Sequence, residues 1–344
     1  MKANLSMASS PHLRDGLDTK SVMYAVVIAL VPAGAGAAYY FGMRALAVVV
    51  AASLSAVAAE AAWQCAARRP VTVTDGSALL TGILLAFNLP PGVPYWLPVI
   101  GSVFAIGVAK MPFGGLGYNL LNPALAARAF LLVSWPVHMM TWTAPSRGSM
   151  SGIDAVTEAT PLGVYRYAHG ILADPASTAQ DLGHAATCLK ELYSTASARN
   201  LFFGNHGGSL GETSVLLLLV GVAYLLARRI ISWRIPVSYI GTVALVAWIM
   251  GGERPFQGHP LFHVMSGGLI LGACFMATDI VTTPVTPRGK LFFGIGCGIL
   301  TSIIRLKGGY PEGVCYSILL MNTTVPLIDR LTRPRILGET KAVK

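Results

Sequence analysis

Residues 151–162 read Ser-Gly-Ile-Asp-Ala-Val-Thr-Glu-Ala-Thr-Pro-Leu. Asp154, Thr157, Ala159 and Thr160 fall within this run, and Pro161 follows directly. An unactivated threonine hydroxyl is a poor nucleophile, so self-modification is not the chemistry indicated. A separate enzyme can recognise so short a segment and attach a group to Thr160. Pro161 favours this by holding the chain extended at Thr160. The same residues also read as a small-residue turn, and their spacing leaves both readings open.

Other residues invite a role. Arg128 lies in an apolar stretch, six positions after Asn122. A charge at mid-bilayer costs about 2.5–3.5 kcal/mol on insertion scales, so such an arginine is a functional candidate. It can equally serve as a structural partner for free carbonyls or snorkel to the interface. Asp75 and Asp279 stand at the ends of short apolar segments. Capping is their commoner role, and lining an ion or electron pathway is the alternative. Gly207-Gly208-Ser209-Leu210-Gly211-Glu212-Thr213-Ser214 reads as a flexible turn leading to a capped helix N-terminus. Such a terminus attracts anions, phosphate included. The histidines show no ligand spacing, and the five cysteines are scattered without C-x-x-C. No metal site or disulfide framework is indicated.

The elements that position these residues are membrane helices. The chain has 344 residues, of which 54% are apolar and 12% charged, and its mean hydropathy is +0.61. Soluble domains carry about 25% charged residues. So few charges cannot cover a large water-facing surface, which excludes a disordered chain and an ordinary cytosolic enzyme. The net charge of +10 marks cytoplasmic loops, not a nucleic-acid partner. About ten apolar stretches are long enough to consider as spans. They are 22–41, 45–63, 77–90, 95–110, 122–138, 214–230, 236–251, 261–278, 290–305 and 311–329. The third is short and runs into Pro90-Pro91-Gly92-Val93-Pro94. The first twenty residues are polar, with no cleavable signal pattern ahead of the first stretch.

With the N-terminus inside, Lys and Arg fall about twofold more often on the inside. Both termini are therefore expected in the cytoplasm. The expected division is a membrane half at 1–138, an outward-facing loop at 139–213, and a second membrane half with a tail at 214–344. A segment as long as 139–213 is rarely a simple connection; part of 171–203 can form an amphipathic helix that docks a neighbour, a solvated face being the commoner outcome.

The halves resemble each other. Leu79–Ala86 matches Leu269–Met276; each run leads to a proline-bearing break, a glycine-bearing helix with a basic end (Lys110; Arg305 and Lys307), and a Gly-Gly pair. A closing span then carries Asn122 or Asn322. A repeat of five helices is odd, so the second copy enters the membrane from the opposite side.

Asp154–Thr160 is similar to the D-x-x-[S/T]-x-A-T signature recognised by the flavin transferase that joins FMN to threonine through a phosphoester. The chain resembles the D subunits of Rnf electron-transport complexes and, more distantly, the B subunits of sodium-translocating NADH:quinone oxidoreductases. The likeness runs through Thr74–Gly82, Gly117–Ala124, Gly207–Ser214, Ala277-Thr278-Asp279 with Thr286–Gly289, and Gly308–Gly313. One departure is Glu158, where the family usually has Gly or Ser. An anion there costs a nearby phosphoester about 1 kcal/mol at 4 Å in water, unless it points away on an exposed site, as this one is expected to be.

The resemblance implies an all-α polytopic fold of the urea-transporter type, in two inverted five-helix repeats. It implies a covalent FMN on Thr160, presented with the help of Asp154, Thr157 and Ala159, on a periplasmic loop of a bacterial inner-membrane protein. It implies partner subunits that carry FMN and iron–sulfur centres, in a translocase coupling ferredoxin–NAD electron flow to sodium or proton movement. Some members of the wider family also hold riboflavin. The competing expectation is a passive channel or transporter for a small solute, in which 151–162 is an ordinary loop; a scaffold that only anchors redox partners is a third.

Overall fold

A computed structural model describes residues 18–145, 159–252, 254–308, 310 and 312–333. Regular structure among them is helical, with no β-strand. Helix occupies every predicted apolar stretch. Four helical segments are long and apolar enough to cross a membrane by length and composition: Thr19–Phe41, Met43–Ala66, Trp96–Phe113 and Pro287–Lys307. Large apolar side chains stand outward on them. Val31, Leu54, Val103 and Ile303 are each half exposed or more. Lipid removes the cost that water would impose on such a surface. The protein is a multi-pass helical membrane protein.

In the first half, α1 (Thr19–Phe41) joins α2 (Met43–Ala66) through Gly42 alone. The third helix, α3 (Ser77–Phe87), has 11 residues, so it is about 16 Å long and covers about half of a bilayer core. Its start is fixed by Asp75, whose Oδ1 accepts from the Ser77 N–H at 2.8 Å and from Ser77 Oγ at 2.7 Å. Gly82 lets α3 lie directly on α2, since a Cβ there would stand 2.6 Å from the Ser53 Cα. Next, α4 (Trp96–Phe104) runs into π-helical turns at Ala105–Lys110. Asn122 then caps α5 (Pro123–Ser134), its Oδ1 accepting from the Ala124 and Leu125 N–H groups at 3.1 and 3.4 Å. The short α6 (Pro136–Met140) follows.

The expected outward loop is largely helical where it is described. It holds α7 (Pro161–Ala173), α8 (Ala179–Leu192) and α9 (Thr195–Phe203). Thr178 and Asp181 form a reciprocal capping box at the start of α8. The apolar face of α8, through Ala185 and Leu189, is buried within the chain. That face is turned inward against α7, so it is neither solvated nor open to a neighbour.

The second half contains α10 (Val215–Ala227), α11 (Arg234–Met250), α12 (Pro260–Met265), α13 (Leu269–Leu271), α14 (Pro287–Lys307) and α15 (Val314–Leu331). The stretch 261–278 is broken: α12 stops at Met265, and α13 continues as π-helical turns at Gly272–Met276. Ser214 caps α10, and Thr286 caps α14.

Each half buries a basic residue near the end of a helical segment: Lys110 turns toward the start of α3, and Arg305 toward the break between α12 and α13. Lys110 Nζ donates to Ser77 Oγ at 2.6 Å and pairs with Glu60 at 2.6 Å. Arg305 donates to the carbonyls of His263 and Ser266 at 2.6 and 3.2 Å. Asn122 and Asn322, in contrast, hold different positions: one caps α5, and the other lies within α15.

Lys110 and Glu60 are 1% and 2% exposed, so either charge alone would be stranded. Truncation of one partner in a buried pair costs about 3–5 kcal/mol. Lys110→Ala should lower the thermal midpoint in detergent sharply, and Lys110→Met with Glu60→Met should recover most of the loss.

Candidate functional site

Thr160 is the N-cap of α7. Pro161 occupies the first helical position, where its missing N–H is no loss, and Thr160 is extended at φ −63°, ψ 153°, as a pre-proline residue should be. Its Oγ1 accepts from the Gly163 N–H at 3.1 Å. Free N–H groups and the helix dipole make this end of α7 a favourable place for an anion. Ala159 is exposed, whereas Thr160 is only 9% exposed. The expectation of an exposed site is thus corrected at Thr160 itself. Its hydroxyl is enclosed because α7 packs its first turn, through Leu162 and Tyr165, into the protein. Asp154, Thr157 and Glu158 lie outside the described residues.

Thr160 borders a cavity of about 280 Å³. Trp142, Tyr310 and Tyr316 supply aromatic wall, and Arg128 and Glu312 supply the charged side chains among its described lining. Tyr310 and Tyr316 face each other with centroids 5.4 Å apart. The volume sits just below the range of about 300–1,000 Å³ usual for small-molecule sites.

Arg128 is buried and does not snorkel. Its Nη1 donates to Asn88 Oδ1 at 2.8 Å, and its Nη2 pairs with Glu312. The structure thus selects a side-chain partner, not the carbonyl partner considered for it. Glu312 also meets the Glu212 carboxyl, which accepts from Ser209 Oγ at 2.9 Å. A polar chain therefore runs Asn88–Arg128–Glu312–Glu212–Ser209 across both halves. Glu212 and Glu312 escaped sequence reading. The signal was present: they are acids inside the glycine-bearing runs 207–214 and 308–313 of a chain with only 15 acidic residues.

The run 207–214 is not a flexible surface turn. Residues 206–214 are all buried. The Leu210 N–H donates to the Leu89 carbonyl at 3.0 Å. Gly211 fits between the short helices, where a Cβ would stand 2.6 Å from the Phe87 Cβ and 2.8 Å from Leu271 Cδ2. Small residues that suit a turn here suit close packing instead.

Asp75 caps α3 as described. Asp279 takes a comparable local role, accepting from the Val281 N–H at 3.4 Å and from Thr282 Oγ1 at 3.2 Å. It also borders a smaller cavity of about 70 Å³, with Ser77, Lys110, Asn119, Asn122 and Thr278. Among the described residues, no group of three His, Cys, Asp or Glu side chains could hold a metal ion.

These features define a helical membrane protein with a threonine at a helix N-terminus, opening on an aromatic and charged cavity. The chain belongs to the NQR2, RnfD, RnfE family, whose model matches residues 6–338. It is 48% identical over 343 residues to the D subunit of the Na(+)-translocating ferredoxin:NAD(+) oxidoreductase complex of Acetobacterium woodii, covering 99% of this chain and 98% of that one. It is 46% identical over 336 residues to the D subunit of the proton-translocating ferredoxin:NAD(+) oxidoreductase complex of Clostridium ljungdahlii, covering 97% and 96%. The D subunit of the ion-translocating oxidoreductase complex of Stutzerimonas stutzeri is 45% identical over 326 residues, covering 92% and 91%.

His206 opens the buried run, and its Nδ1 lies 3.0 Å from the Gly207 carbonyl. Burial holds its pKa below the ordinary value of about 6.5. Its neutral form therefore favours folding above that value, and the contribution is lost as pH falls below it. Thermal midpoints measured from pH 8 to pH 5 should decline at the acid end, and His206→Gln should flatten that limb.

Proposed function

We propose that this chain is the membrane subunit of an ion-translocating ferredoxin:NAD(+) oxidoreductase complex, and that it relays electrons through an FMN joined covalently to Thr160. The observation that carries the reading is the placement of Thr160: a hydroxyl at the positive end of α7, on the wall of a cavity with three aromatic side chains. The names of relatives 45–48% identical over nearly the whole chain support the redox and ion-translocating role. Those names divide between sodium and protons, so the coupling ion is left open.

The residues present fit the group. The hydrogen bond at Thr160 Oγ1 is one that it accepts, so esterification leaves that bond in place. The first-turn N–H groups of α7 favour the phosphate charge. The aromatic wall offers faces to a flat ring system. A flavin supplies one- and two-electron transfer, and the protein's part is to hold it, orient it and shield it from water. Attachment through the chain keeps the cofactor at an outward-facing site.

In the same reading, the ten helical stretches form two inverted five-helix repeats of the urea-transporter type in the bacterial inner membrane. Both termini face the cytoplasm, and 139–213 faces the periplasm. The parallel placement of Lys110 and Arg305 supports the repeat. Partner subunits carry FMN and iron–sulfur centres, and a flavin transferase matures Thr160 with Asp154 and Thr157 in its recognition segment.

Chain purified from cells that contain the transferase should fluoresce under ultraviolet light on a denaturing gel. Thr160→Ala should abolish that band, and peptide masses across 148–166 should carry the added FMN. A dark wild-type band, or a mass equal to the amino acids alone, would refute the attachment and favour the solute channel. A fluorescent chain whose complex works equally well as Thr160→Ala would favour the scaffold.

A further inference from the structure

We propose that the buried Arg128–Glu312 pair sets the reduction potential of the group carried by Thr160, with Arg128 favouring the reduced form and Glu312 opposing it. The inference rests on the covalent-flavin reading and adds a tuning role for two side chains of this chain.

Both residues line the cavity that Thr160 borders. Both are largely enclosed, with side chains 7% and 13% exposed. Neither can swing away. Arg128 is held from the other side by Asn88, and Glu312 is backed by Glu212, which Ser209 fixes in turn. The remaining described lining is neutral: leucine, methionine, tyrosine, tryptophan and cysteine side chains among them. Arg305 lies behind the same network, fixed on the carbonyls of His263 and Ser266, outside the cavity lining.

A fixed charge in an enclosed, poorly solvated cavity acts strongly on charge that appears beside it. Each electron that reaches the ring adds one negative charge unless a proton follows. A cation on the wall stabilises that added charge, and a carboxylate destabilises it. The pair joins α5 to the segment just ahead of α15, so the cavity meets a fixed cation and a fixed anion side by side on one stretch of its wall. A purely structural ion pair predicts loss of assembly from either truncation. An electrostatic device predicts shifts of opposite sign.

The test uses the purified complex carrying Glu312→Gln, Arg128→Gln or both. Covalent flavin is first verified by gel fluorescence and by peptide mass across 148–166. Its midpoint potential is then followed by stepwise reduction with mediator dyes, with spectra taken as differences against the Thr160→Ala complex to isolate this flavin. Glu312→Gln should raise the midpoint and Arg128→Gln should lower it. Each shift should correspond to at least a tenfold change in the reduced-to-oxidised ratio, about 59 mV for one electron. The double variant should fall between them. If Arg128→Gln does not assemble, the nearly isosteric Glu312→Gln still decides the sign. An unchanged or lowered midpoint in Glu312→Gln, or variants that assemble without flavin, would overturn the inference while leaving wild-type attachment intact. A wild-type chain without flavin would instead remove the reading on which it rests.

Discussion

Backbone that stops partway across a lipid layer must find its hydrogen-bond partners inside the protein. Three ends meet this constraint together: the end of α3 at Asn88, the end of the π-helical turns at Met276, and the start of α5 at Pro123. Asn88 Nδ2 donates to the Leu84 carbonyl at 2.6 Å, and Asn122 Nδ2 donates to the Met276 carbonyl at 3.3 Å. Leu210 supplies a backbone N–H to Leu89. The Asn322 amide, oriented to satisfy its neighbours, accepts from the Asn122 N–H at 3.2 Å. Gly211 lets the buried run 206–214 bring a third backbone this close, since a side chain there would meet Phe87 and Leu271. An asparagine serves both needs of a broken helix, since one amide offers donors and an acceptor.

The two halves solve one problem with different chemistry. Lys110 meets a carboxylate and a hydroxyl, Glu60 and Ser77, as a compact ammonium with rotatable donors can. Arg305 meets two backbone carbonyls, His263 and Ser266, with the separate arms of its guanidinium. The carbonyls are free because the stretch 261–278 breaks at 266–268, whereas α3 has no such gap. The partner set of each buried cation thus follows from the local backbone around it.

Much of the fold was legible, because a run of about twenty apolar residues has few alternatives to a membrane helix. The short α3 was legible from Pro90 and Pro91, which end it. What escaped reading lay in tertiary proximity. Gly207–Ser214 has the composition of a surface turn and of a buried strut alike, and only the presence of Phe87 and Leu271 beside it decides between them. Arg128 stood out as an intramembrane charge, but its partner Glu312 is 184 positions away. The signature around Thr160 points to attachment and says nothing of a cavity, whose walls come from 128–142 and 310–316. The π-helical turns carry no compositional mark, and both lie where the chain leaves a regular helix.

Thr160 and the broken helices lie in different parts of the fold, yet a short physical path joins them. Arg128 borders the cavity and donates directly to Asn88, whose amide also closes the end of α3. A change of charge in the cavity therefore acts on a guanidinium that shares its asparagine with a half-helix terminus. Coupling along such a path works through an element with two arrangements whose balance both ends bias. The Glu212–Glu312 contact is where such an element would have to sit. It lies between the cavity wall and the strut that wedges the short helices apart, and Glu312 cannot loosen from Arg128 without changing the charge that Glu212 faces.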